Sequence, residues 1–161
     1  MADIDIGFTA PVIPIGKGRP RVYRRKTKSG GDITVATTPE KTRRWESDFA
    51  AIVAKHAPKT VLDEPLRVDI LAVMPRPKRL TRKSDPDGLV WCTTKPDADN
   101  IRKAVLDAMS AWWRDDALIC AGETLKVYAG KGRVPCVAVR VRSGLDVATS
   151  VWITGFSSEG R

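Results

Sequence analysis

The chain has 161 residues, which suits one domain with a core of ordinary size. Its apolar runs are far shorter than the roughly 20 residues that a membrane span needs. The N-terminus is acidic and leads into no long apolar stretch, which argues against a signal peptide. Three cysteines without Cys-x-x-Cys spacing predict reduced thiols in a cytoplasmic protein. A single histidine argues against a histidine-rich metal site or a Ser-His-Asp triad, so any metal must be held by oxygen.

The charge balance indicates a nucleic-acid partner, although charge that serves only solubility is an open alternative. There are 28 Lys and Arg against 19 Asp and Glu, a formal net charge of +9. Residues 17–28 carry seven cations and residues 76–83 carry five, and neither segment contains an anion. We interpret both as loops or strand ends that form a phosphate-binding groove, or else as independent solvated loops. The candidate DNA-binding residues are Lys17, Arg19, Arg21, Arg24, Arg25, Arg76, Lys78 and Arg79.

The first elements in chain order are a strand and a helix. Residues 4–8 alternate as a strand, and residues 33–35 are predicted as its hairpin partner. A helix is predicted to begin after Thr38, with Pro39 at its first position, and to end before Pro58. Its expected apolar stripe is Trp45, Phe49, Ile52 and Val53.

The second half of the chain predicts one long strand, a functional or disordered loop, a second helix and further strands. The strand is residues 66–74, with alternate side chains on one face, and the loop is residues 75–94. The helix is the clearest element; its stripe is Ile101, Ala104, Val105, Ala108, Met109 and Trp112. Later strands are predicted at 117–121, 124–128 and 136–142.

These elements predict a single α+β domain, a mixed β-sheet packed with two main α-helices, because they lack regular βαβ alternation. The domain is expected over residues 1–142, and residues 143–161 are a C-terminal tail of unknown role.

Acidic residues collect at the start of the second helix. Asp97 and Asp99 lie two residues apart on a segment that leads into the helix, so both can point toward one centre. Asp99 alone would be explained as a helix cap. Lys103 and Asp107 follow Asp99 at i+4 and i+8. The alternative to a functional role is that these three residues form only a salt-bridged polar stripe on the helix.

A third carboxylate, Asp116, follows the helix and approaches the first two if the chain turns back. Three carboxylates without histidine suit Mg²⁺, with Mn²⁺ as a substitute, because hard cations prefer oxygen ligands. Such an ion activates water and polarises a phosphoryl group. A lysine one helical turn away, Lys103, would neutralise charge that develops on the phosphate.

Residues 95–109, followed by 113–116, resemble the signature of the RusA-type Holliday junction resolvases, many of them phage-encoded. Residues 18–21 and 38–43 are similar to that family as well, and the resemblance covers about residues 5–142. It implies a RusA-like fold and a homodimeric, Mg²⁺-dependent endonuclease that makes paired, symmetric nicks in four-way junction DNA during recombination and repair.

By position, the resemblance implies that Asp97, Asp99 and Asp116 bind the metal and that Lys103 is the essential lysine. Asp107 matches a recurrent acidic position without an assigned role. A homodimer also suits the near two-fold symmetry of a four-way junction.

Two alternatives stay open: a nuclease for flaps or other branched DNA, and a non-catalytic DNA-binding module in which the aspartates only cap and form salt bridges. Trp91 and Trp113 flank the acidic motif; each either stacks on an unpaired base or lies buried.

Overall fold

The computed structural model describes residues 3–27 and 30–144, which form one α+β domain. Its main sheet has the strand order β1-β8-β4-β7-β5, with β6 beside the start of β4, and β2 and β3 form a separate ribbon. The strands are β1 (Asp5–Ala10), β2 (Arg21–Lys26), β3 (Asp32–Thr37), β4 (Leu66–Met74), β5 (Val90–Trp91), β6 (Ile119–Ala121), β7 (Thr124–Tyr128) and β8 (Cys136–Arg142). The helices are α1 (Glu40–Val53) and α2 (Ala98–Ala108).

Strand β4 is the centre of the sheet and has the predicted bounds. It runs antiparallel to β8 on one side and parallel to β6 and β7 on the other. The predicted face is buried in the core with residues of both helices. It consists of Leu66, Val68, Ile70, Ala72 and Met74. Period-2 alternation in a long strand therefore identified the core side of the sheet.

Helix α1 begins one residue later than predicted, because Pro39 is its N-cap. The Pro39 carbonyl accepts hydrogen bonds from the amides of Thr42 and Arg43. Phe49 is buried, as expected, whereas Ile52 is 37% exposed. Ile52 lies at the border of the apolar face, where solvent reaches it, so the predicted stripe was too wide.

The predicted apolar stripe is confirmed, with Ala108 half-buried and the other members buried. Met109 and Trp112 lie just beyond the C-terminal end of α2. On its more polar side, Arg102 Nη1 donates to the carbonyl oxygen of Val68 in β4 at 2.9 Å. At the far end, the Leu62 amide donates to the Trp112 carbonyl at 2.9 Å. The helix is thereby fixed along its length to the central strand and the loop before it.

The predicted hairpin partner of β1 was wrong. β1 pairs with β8 over six residues, and β3 pairs with β2. Phe8 of β1 lies opposite Val139 of β8, and both are buried in the core. Strand β8 offers β1 a continuous apolar face, which the largely exposed β3 does not.

The described residues end at 144, two residues past the predicted end of the domain, and that boundary stays a prediction. Ser143 follows β8, and its amide donates to the Ile4 carbonyl at 3.0 Å while its Oγ accepts from the Ile4 amide at 2.9 Å. From residue 145 onward the predicted tail lies outside the described residues. Within residues 3–27 and 30–144, no helix is long and apolar enough to cross a membrane.

Gly122, between β6 and β7, is required by its backbone. Its φ is +138°, and an added Cβ would lie 1.9 Å from the Val68 carbonyl oxygen. We expect Gly122→Ala to lower the free energy of unfolding by about 2–4 kcal/mol, from strain and displacement of β4. Gly7→Ala is the matched control, because no atom lies within 4 Å of its added Cβ. Chemical denaturation measures both; equal stabilities would contradict this role.

Candidate functional site

The two acidic residues before and in the first turn of α2 are exposed and differ in their contacts. Asp97 is the N-cap by position, but its side chain makes no capping hydrogen bond, so capping does not explain it. Asp99 Oδ2 lies 3.3 Å from Lys103 Nζ, one turn along the helix. Both side chains of this pair are more than 60% exposed, so the pair itself contributes little to stability. Asp97, Asp99 and Lys103 therefore lie together at one end of α2, open to a ligand.

A groove of about 950 Å³ adjoins this end of α2. One wall is the loop from Ile13 to Arg19 together with Arg21, and the others are the start of α1 and the segment around Asp97. The cations on its lining are Lys17, Arg19, Arg21, Lys41 and Lys95. The structure thus brings the predicted basic segment beside the predicted acidic one.

The groove wall is held in place by contacts to both helices. The Lys17 amide donates to the Asn100 carbonyl at 2.8 Å. Trp45 Nε1 of α1 donates to the Ile13 carbonyl at 2.9 Å. Gly16 passes so close to α2 that an added Cβ would lie 2.7 Å from Pro96 Cβ. The loop is therefore a fixed wall, positioned by residues far from it in sequence.

Lys17 has a structural partner that the sequence did not predict. Its ammonium lies 2.6 Å from Glu46 of α1 and 2.5 Å from Asp107 of α2. Partial burial lowers the pKa of Lys17, but the two carboxylates outweigh it and raise that pKa above its ordinary value. This bridge gives Asp107 a role as an anchor between loop and helices. A contact of Lys17 with phosphate stays a prediction and would compete with the bridge.

The second basic segment is organised by its first arginine. The Arg76 guanidinium donates to the carbonyls of Leu80, Pro86, Gly88 and Ala129. These hydrogen bonds hold the loop together, and a contact of Arg76 with DNA stays a prediction. Lys78 and Arg79 lie on a 3₁₀ turn that this arrangement supports, and both are exposed.

Lys126 is a site residue that sequence reasoning missed. Its Nζ donates to the carbonyls of Thr94 at 2.6 Å and Pro96 at 2.7 Å, and so holds the segment that carries Asp97. Lys126 lies opposite Ala72 of β4, on the core-facing side of its strand. A lysine at an inward position of a predicted strand was the available signal.

Asp116 follows the C-terminal end of α2 in the chain, at the start of a 3₁₀ turn. Its Oδ1 accepts a hydrogen bond from Trp113 Nε1 at 2.7 Å, and Trp113 itself is 3% exposed. Of the two alternatives for Trp113, the structure shows the buried one, because its ring belongs to the core. Trp91, in contrast, is 68% exposed on β5 at the edge of the sheet. Base stacking by Trp91 stays a prediction.

The length of α2 separates Asp97 from Asp116 within one protomer. Eleven helical residues span about 16 Å. The carbonyl of Pro96, just before α2, accepts a hydrogen bond from Lys126, which lies opposite Ala72. Asp116 instead leads into β6, where Ile119 lies opposite Leu66. Across residues 3–27 and 30–144, no three His, Cys, Asp or Glu side chains are grouped to hold a metal. Oxygen donors suit a hard divalent cation, but each end of α2 supplies too few.

A comparison with protein families identifies the group to which these features belong. A family model described as Endodeoxyribonuclease RusA matches residues 11–142, which include the groove, α2 and Asp116. The chain belongs to the RusA endodeoxyribonuclease family. Membership confirms the resemblance seen in the sequence and the α+β fold, and it indicates a nuclease that hydrolyses DNA phosphodiester bonds.

A curated relative covers most of the same region. The chain is 30% identical over 135 residues to the uncharacterized protein YqaN of Bacillus subtilis (strain 168). The match spans 80% of this chain and 92% of that protein. That name assigns no activity, so the functional argument for this RusA-family member depends on its family and its site.

Lys126→Met tests the positioning of Asp97. We expect kcat for DNA cleavage to fall roughly tenfold or more, because small displacements of reacting groups are costly. Binding of DNA without metal should change less than about twofold, and Lys126→Arg should recover part of the rate. Lys131→Met is the control, since Lys131 Nζ bonds Asp85 and Asp87 in the other loop. Wild-type kcat in Lys126→Met would show that other contacts hold the segment.

Proposed function

We propose that this RusA-family chain is a divalent-metal-dependent, homodimeric endonuclease that resolves four-way DNA junctions by paired, symmetric nicks in recombination and repair. The observation that carries the proposal is the groove whose lining combines five cations with the exposed carboxylate of Asp97. A polyanion attracted by Arg19, Arg21 and Lys41 is brought to the exposed carboxylates at the start of α2. A basic surface alone would suit any DNA-binding protein, and the exposed acid on the lining of this groove, Asp97, favours cleavage.

Asp97 and Asp99 would hold a hard divalent cation, Mg²⁺ or Mn²⁺ in its place. When bound, the ion supplies a water of lowered pKa and a Lewis acid for the phosphoryl oxygens. Lys103 lies beside Asp99 and is exposed, so its ammonium can approach a phosphate oxygen and stabilise developing charge. The groove cations orient the DNA backbone, and Lys126 keeps the Asp97 segment in place.

The third carboxylate comes, in this proposal, from a second copy of the chain. In a C₂ dimer whose α2 helices run antiparallel across the axis, the start of one helix lies beside the end of the other. Asp97 and Asp99 would then face Asp116 of the partner subunit, and the reciprocal arrangement would give a second site. Trp113 fixes one oxygen of Asp116, which leaves the other oxygen for the cation.

This arrangement links the dimer to the reaction. A junction has near two-fold symmetry, and two strands must be cut to give ligatable products. Two composite sites related by one axis meet that demand, and a lone protomer would be inactive because it holds too few ligands in one place. The rigid spacing within α2 is what makes the second copy necessary.

The first test is cleavage of a synthetic four-way junction with and without Mg²⁺, beside linear duplex and flap controls. We expect paired symmetric nicks that require Mg²⁺ and are abolished by Asp97→Asn, Asp99→Asn or Asp116→Asn, with junction binding retained. Equal cutting of flaps would indicate a general branched-DNA nuclease instead. Tight junction binding without any cleavage would indicate a non-catalytic DNA-binding module.

Subunit mixing tests the composite site. Asp97→Asn and Asp116→Asn homodimers should each be inactive. After exchange, a heterodimer of the two retains one site with both Asp97 and the partner's Asp116, so single-strand nicking should return. Mixing Asp97→Asn with Asp99→Asn is the matched control, because both changes affect the same end of α2 and leave neither site intact. If the first mixture stays inactive although exchange is verified by the mass of dimers in which one variant is ¹⁵N-labelled, the carboxylates do not act across the dimer.

A further inference from the structure

The ribbon formed by β2 and β3 stands apart from the rest of the described fold. Its six residue pairs form an antiparallel ladder, and neither strand joins the main sheet. All six residues of β2 are exposed, as are four of the six in β3. An isolated two-stranded ribbon is only marginally stable in water, so we expect this ribbon to contact a binding partner.

The composition of the ribbon indicates which partner it fits. Val22, Tyr23 and Ile33 are 66%, 50% and 46% exposed. Around them lie four cations, and Asp32 is the acid on the two described strands. Two like-charged ribbons would repel each other, which argues against self-association here. The cations therefore favour a polyanionic partner. The exposed apolar side chains favour one that also presents the surfaces of sugars and bases, as DNA does.

The ladder divides these residues between two faces. Successive side chains of a strand point to opposite sides, so Arg21, Tyr23 and Arg25 form one row, and Arg24 lies on the other face. Arg21 also lines the groove that contains Asp97. Tyr23, the middle of the row, has its hydroxyl 3.4 Å from Thr37 Oγ1 on the same face. The row therefore continues the groove outward along the ribbon.

We propose that the row Arg21, Tyr23 and Arg25 is a second DNA contact, which holds a duplex arm beyond the groove. The inference rests on the proposed function and specifies the part of the substrate that the ribbon recognises. The two guanidiniums would bind phosphates, and the tyrosine would bind a phosphate through its hydroxyl or a sugar through its ring. A six-residue strand spans about 20 Å, which corresponds to roughly six base pairs of duplex.

The test compares neighbouring arginines on two junctions without metal. The junctions have hairpin-closed arms of about 6 and about 15 base pairs. Arg25→Gln should weaken binding of the long-arm junction at least about threefold and reduce the salt slope by about one, with less than twofold change for short arms. Arg24→Gln, which removes the same charge from the other face of the same strand, is the matched control. In this proposal Arg24, a candidate from the sequence, makes no contact with the arm, so either affinity should change less than twofold. Tyr23→Ala should change the two affinities in the same way as Arg25→Gln. Tyr23→Phe removes only the hydroxyl, so its affinity shows whether the hydroxyl or the ring makes the contact.

Four outcomes would overturn the ribbon contact. If Arg24→Gln and Arg25→Gln weaken binding equally, the two faces of the ribbon do not differ in contact with DNA. If Arg25→Gln weakens binding of long-arm and short-arm junctions equally, the ribbon does not contact the arm. A changed oligomeric mass of Arg25→Gln with unchanged DNA affinity would show that the ribbon binds another chain. Normal cleavage with wild-type affinity in Arg25→Gln contradicts the ribbon contact alone, whereas wild-type protein that binds junctions without cutting contradicts the proposed catalysis alone.

Discussion

The attachment of α2 across the central strand is the constraint on which the site depends. The Arg102 guanidinium reaches the Val68 carbonyl at 2.9 Å, and Gly122 leaves the space that this close approach requires. Lys126 then fastens the segment that leads into the helix through two backbone carbonyls. Because the helix is fixed at its start and along its length, the position of Asp97 relative to the groove is set by the sheet.

The same rigidity determines what one protomer can do. Helix α2 spans about 16 Å, and the pairing of β6 and β7 with opposite ends of β4 keeps Asp116 at the far end of the helix from Asp97. A surface that offers two carboxylates binds a divalent cation weakly, and a second copy supplies what is missing. In the proposed dimer, the pairing of two copies supplies two cleavage sites and also completes the set of metal ligands at each site. Catalysis would thus be confined to the assembled, two-fold form.

The positive charge of the chain serves two different purposes. Lys17 and Arg76 were predicted from the same basic segments as the exposed arginines, yet both hold loops together. Lys17 meets carboxylates from both helices, and Arg76 meets the carbonyls of the loop that follows it. Arg21 and Arg25 have no such role in the described contacts and stay open to solvent. Net charge indicates a polyanionic partner, but it does not say which cations meet it.

The sequence by itself determined the elements with strong periodicity and the chemistry of the motif. The bounds of β4, the buried face of α2 and the carboxylates beside them follow from local patterns, because burial repeats at the period of the element. Only the tertiary structure decided that β1 pairs with β8, that Lys126 holds the Asp97 segment, and that Asp116 lies at the other end of α2. Those facts depend on strand register and on partners distant in sequence. Local patterns do not identify such partners; the inward position of Lys126 marked the residue but not what it holds.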